Sequence, residues 1–100
     1  MKFGLEEDQY QILENIIISP LKKYGAKVWI FGSRAKGTHR KFSDVDLMYE
    51  AQNELPKGFV FEITSQLEES NFEYKLDLVH RKDVAQSYKD SIESSKIEIK

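Results

Sequence analysis

Asp44 and Asp46 are separated by one residue in the run Ser-Asp-Val-Asp-Leu, which alternates polar and apolar side chains as a strand does. On a strand this spacing sends both carboxylates to one face, about 7 Å apart along the backbone, while Val45 and Leu47 face the other way. Two carboxylates so placed suit a hard divalent cation. Upstream, Gly32-Ser33 directly follows an apolar run. Glycine lets the backbone approach a phosphate closely, a helical turn opening there offers free N–H groups, and the serine hydroxyl adds a hydrogen bond. Arg34, Lys36, Arg40 and Lys41 crowd the intervening loop. Arg34, nearest the turn, is the basic residue expected to neutralise the β- and γ-phosphates. The stretch reads as a site for a nucleoside triphosphate and magnesium.

Each signal has a plainer reading. A lone Asp-x-Asp occurs on many surface strands, a Gly-Ser turn often only caps a helix, and a basic run is usually a solvated face. Asp77 shifts the balance. It lies in the apolar run Leu76-Asp77-Leu78-Val79, where an unpaired carboxylate is costly to bury. It either pairs with Lys75 or Arg81, faces solvent at a sheet edge, or joins Asp44 and Asp46 around two magnesium ions. Two such ions can clamp the attacking and leaving oxygens of an in-line phosphoryl displacement. His39 and His80 have no second histidine at ligand spacing, and Trp29 reads as core. No Gly-x-Gly-x-x-Gly or Walker-type loop is present.

The elements that must position these residues follow from periodicity. Ile12, Leu13, Ile16 and Ile17 predict a helix from about Glu6, bent near Pro20 and closed at Gly25. Lys27 to Phe31 reads as a buried strand, and Ser33 as the cap of a single turn over Arg34-Ala35-Lys36, closed by Gly37. A second strand is expected over about Asp44 to Tyr49, a helix over about Pro56 to Ser70, and a strand over Tyr74 to His80. Val84, Tyr88 and Ile92 mark a last helix, and Lys96 to Lys100 is either a short strand or a frayed end. The expected fold is α/β, a small mixed three-stranded sheet covered by helices. The helical crossover makes the second and third strands parallel, and the relative direction of the first two stays open.

Composition bounds the rest. A chain of 100 residues with 40% hydrophobic and 32% charged residues is expected to form one globular domain spanning 1–100. The absence of cysteine excludes a disulfide scaffold and a thiolate zinc site. No membrane-length apolar run and no signal-peptide core are found, so the cytoplasm is the expected compartment. A net charge of −2 gives no reason to expect nucleic acid as a partner.

Gly-Ser-Arg-Ala-Lys-Gly followed by Ser-Asp-Val-Asp-Leu, with Asp77 beyond, resembles the nucleotidyltransferase superfamily of DNA polymerase beta, and within it the minimal nucleotidyltransferases of MNT or MntA type. The resemblance implies that Gly32 and Ser33 hold the triphosphate of ATP. It implies that Asp44 and Asp46 bind the metals, two Mg²⁺ ions, and that Asp77 is the third carboxylate, which helps activate the attacking hydroxyl. It further implies a hetero-oligomer with a small helical HEPN-type protein, this chain being the antitoxin and transferring AMP to a tyrosine of its partner. Two other readings compete: an antitoxin that neutralises its partner by binding alone, and nucleotidyl transfer to a small molecule. The second is disfavoured because 100 residues leave no room for the acceptor-binding helical domain of larger members.

Overall fold

The computed structural model describes residues 2–100. Its first helical run has three parts: α1 (Glu7–Leu13), a π-helical stretch (Glu14–Ile18) and α2 (Ser19–Lys23). The widened turn sits where the sequence predicts a bend. Pro20 has no N–H to donate and its ring crowds the carbonyl one turn earlier, so the preceding ladder opens. The Ser19 N–H accordingly donates to the Glu14 carbonyl, five residues back. The run ends in a left-handed Gly25 (φ 80°), with Gly25 N–H donating to Lys22 O at 2.9 Å and Ala26 N–H to Leu21 O at 3.2 Å.

The sheet contains β1 (Lys27–Phe31), β2 (Val45–Glu50), β3 (Leu76–His80) and β4 (Ile97–Glu98), in the spatial order β3-β2-β1-β4. β1 and β2 are antiparallel and β2 and β3 parallel, as the crossover helix α4 (Phe59–Glu68) requires. The three expected strands are joined by a fourth. The alternating C-terminal segment pairs antiparallel with β1, and the Ile99 N–H donates to Val28 O at 2.8 Å. Several boundaries differ from expectation, β2 starting at Val45 rather than Asp44 and the last helix at Gln86 rather than Val84 among them. α4 starts at Phe59 because Gly58 is left-handed, and β3 starts at Leu76 rather than Tyr74.

Strand alternation divides the sheet into two unlike faces. Val28, Ile30, Val45, Leu47, Leu76 and Leu78 pack against the N-terminal helical run and α4, forming the main core with Leu13, Ile17, Leu21, Ile63 and Leu67. The other face carries two cross-strand rows. Trp29, Met48 and Val79 form an apolar row, which α5 (Gln86–Ser95) covers through Ile92, with Val84 packed alongside. Arg81 and Lys96 lie over the Trp29 ring and both pair with Glu93, pinning the helix at that end. The second row is Phe31, Asp46 and Asp77.

Candidate active site

The second row brings the candidate residues together. Asp46 is the register partner of Phe31 on β1 and of Asp77 on β3, so its carboxylate has Asp77 as a same-face neighbour across the parallel pair. Asp44 lies immediately before β2 and is exposed, as is Asp77, whereas Asp46 is half-buried. The Asp46 carboxyl is pushed up to about 6, first by burial, then by the charges of Asp77 and Asp44, with Arg34 partly offsetting them. Asp77 therefore faces solvent on the site side rather than pairing with Lys75 or Arg81; Arg81 instead bonds Glu50 and Glu93.

The glycine turn abuts this row. Gly32 has φ 76° and ψ −156°, backbone that only glycine enters without strain. A Cβ there would lie 2.5 Å from Asp46 Oδ2, so any side chain would displace the carboxylate. Gly32, not Ser33, is the N-cap of the following turn, α3 (Ser33–Lys36), and Gly37 closes it in the left-handed conformation. The Ser33 hydroxyl makes no capping bond, and the first N–H groups of α3 have no partners within the helix.

Arg34 requires a correction. Its side chain turns inward and is 2% exposed. Nε and Nη2 donate to Ser43 O at 3.1 and 2.9 Å, Nη2 also approaches Lys41 O at 3.5 Å, and Nη1 donates to Phe3 O at 2.8 Å. The guanidinium also lies over the Tyr74 ring, 4.7 Å from its centre. With its donors committed to backbone carbonyls, Arg34 has no fork to offer a triphosphate. It instead fixes Ser43, the residue that leads into Asp44. Sequence reasoning missed this positioning role, since nothing in a basic loop marks which cation folds inward. Lys36, Arg40 and Lys41 remain exposed. His39 packs against Gly4, and His80 accepts the Lys82 N–H through Nδ1 at 3.1 Å, a strand-end role.

The donor set is of the right chemistry for Mg²⁺: carboxylate oxygens whose mutual repulsion a cation would relieve. Among the described residues, however, no three such groups stand close enough to enclose an ion by themselves. The carboxylates therefore fit an open site, completed by ligand oxygens, rather than a closed protein cage. A cavity of about 360 Å³ adjoins the turn, lined by Phe31, Gly32, Lys36, Val79, Tyr88 and Ile92 among others. A larger one of about 580 Å³, beside the 51–58 loop, includes none of the carboxylates.

A family model described as "Polymerase beta, Nucleotidyltransferase" matches residues 14–100. No curated protein matches. Several solved structures share the fold at low identity. A protein described as a minimal nucleotidyltransferase superposes with a TM-score of 0.70 at 21% identity, covering 95% of this chain and 97% of that one. A toxin–antitoxin structure with AMP-PNP gives 0.64 at 23% identity, covering 85% and 70%. A Shewanella oneidensis complex of tri-AMPylated HEPN toxin with MNT antitoxin gives 0.58 at 19% identity, covering 90% and 70%. Because the family match takes in the glycine turn, the paired aspartates and the strand bearing Asp77, this chain belongs to the polymerase-beta nucleotidyltransferase family.

Proposed function

We propose that the chain is a Mg²⁺-dependent nucleotidyltransferase that moves AMP from ATP to a tyrosine hydroxyl of a HEPN-type partner and thereby acts as that partner's antitoxin. The observation carrying the reading is the Phe31–Asp46–Asp77 row with Gly32 seated against Asp46. The fold is shared with an antitoxin in complex with an AMPylated HEPN toxin and with a toxin–antitoxin structure holding AMP-PNP.

In this reading Gly32 and Ser33 hold the triphosphate through backbone N–H groups and the free serine hydroxyl. Asp44 and Asp46 would hold the metal ions. Asp77, exposed at the same end of the sheet, accepts the proton of the attacking tyrosine. The tyrosine oxygen bonds to the α-phosphorus, the bond to the bridging oxygen of the β-phosphate breaks, and pyrophosphate leaves. When bound, the divalent ions supply charge neutralisation of the phosphates. Exclusion of a side chain at Gly32 keeps the phosphate path beside Asp46 open.

Incubating the purified chain with labelled ATP, Mg²⁺ and its helical partner tests the proposal. Label is expected on the partner with the wild type, falling at least 100-fold for Asp44→Asn and Asp46→Asn. Wild-type transfer by either variant would contradict the assigned role. A second reading, neutralisation by binding alone, rests on the fold shared with an antitoxin held in complex with its toxin. It predicts neutralisation without nucleotide and with all three aspartates replaced.

A further inference from the structure

We propose that the cavity between β1, β3 and α5 receives the base of the bound nucleotide, with Tyr88 as its stacking wall; this rests on the nucleotidyltransferase reading above. A nucleoside triphosphate carries charge at one end and a flat aromatic ring at the other. The outer sheet face has the same polarity. Gly32 belongs to both regions, touching Asp46 on one side and lining the cavity on the other. Lys36 lines the cavity too, a cation near the phosphate-bearing turn.

Away from the turn the lining becomes mostly apolar, with Asp83 the carboxylate in it. Phe31 and Val79 form the sheet floor, and Val84 and Ile92 close the side toward α5. Tyr88 also lines this cavity, yet it is 64% exposed. An aromatic ring standing free at the mouth of an apolar recess is placed to cover a flat ligand at little conformational cost. Ser91 puts a hydroxyl on the same wall, where it can donate to a ring nitrogen, while the Ser95 hydroxyl already donates to Ser91 O at 3.0 Å. At about 360 Å³ the recess has the size of a small-ligand site. The larger cavity has no residue of the glycine turn in its lining, whereas this one takes in Gly32, where the phosphates would sit.

The test compares Mg²⁺-ATP with Mg²⁺-tripolyphosphate, which lacks the nucleoside, by titration calorimetry on the full chain. The wild type is expected to bind ATP at least tenfold more tightly than tripolyphosphate. Tyr88→Ala should weaken ATP about tenfold without changing tripolyphosphate affinity, while Tyr88→Phe keeps both. With the partner present, Tyr88→Ala should raise KM for ATP and leave kcat within twofold. Equal affinity of the wild type for the two ligands, or an ATP affinity unmoved by Tyr88→Ala, overturns the base pocket while leaving the phosphate site standing. Failure of the wild type to bind either ligand overturns both readings. ATP-dependent adenylylation of this chain that disappears in Tyr88→Phe also overturns it, by making the ring an acceptor.

Discussion

Asp46 is ionised at a cost set by burial and by the charges of Asp77 and Asp44, and that cost has a sign that can be measured. Its carboxyl titrates at about 6 in the folded chain against 3.8 for the free side chain. Between those values the folded state holds the proton that the unfolded state has lost. Asp46 therefore contributes most to stability below about pH 4, and that contribution disappears as the pH rises to about 6. Asp46→Asn removes the penalty. Because the group is half-exposed, solvent screening reduces the gain to about 1 kcal/mol at pH 7. Metal-free Asp46→Asn should melt several degrees above the wild type at pH 7 and level with it near pH 4. Mg²⁺-ATP should stabilise the wild type more than Asp46→Asn. Melting curves across that pH range check this, and an Asp46→Asn variant less stable at pH 7 would contradict it. Arg34 makes the opposite case, a charge held by the fold for the fold. Arg34→Lys keeps the charge but loses the planar fork to Ser43 and Phe3, and is expected to cost about 2 kcal/mol. Limited proteolysis should then cut first in the 38–43 loop. Asp44 lies just before the strand expected to carry it, but the strand bearing Asp46 and the left-handed turn at Gly32 were legible in the sequence because alternation and a glycine turn are local properties. The inward turn of Arg34 was not, because its acceptors lie at Phe3, Lys41 and Ser43, and only tertiary structure brings them together.

Among the elements, those with strong periodicity matched expectation and those set by a neighbour did not. The helix ending at Gly25, the strand Lys27–Phe31 and the turn closed by Gly37 carry their own signals. The π-helical stretch does not, since a bend at Pro20 can be absorbed in several ways. The two-residue strand β4 exists only because β1 offers it an unpaired edge. It is more than a frayed end: Ile99 is 7% exposed and belongs to the main core. Ile99→Ala should therefore cost about 2 kcal/mol, read as a lower denaturation midpoint with an unchanged m-value. A cost below about 0.5 kcal/mol would mean that the C-terminal segment contributes no core packing.

At the scale of the whole molecule, two sheet faces do different work. One is largely apolar and holds the fold against the N-terminal helical run and α4. The other gives one cross-strand row to packing under α5 and the next to carboxylates. The relative direction of β1 and β2 was not legible in the sequence, because the connection carrying Gly32 to Asp44 is long enough for either arrangement. Their antiparallel pairing matters, since it sets Phe31 beside Asp46 and so brings the glycine turn to the acids. The most direct test of that convergence is a crystal structure of the chain with Mn²⁺ and AMP-PNP, with the metal located by its anomalous signal. Metal is expected on Asp44 and Asp46 carboxylate oxygens, with the β- and γ-phosphates against Gly32 and Ser33. Metal and phosphates bound elsewhere, with Asp46 and Gly32 untouched, would contradict that convergence.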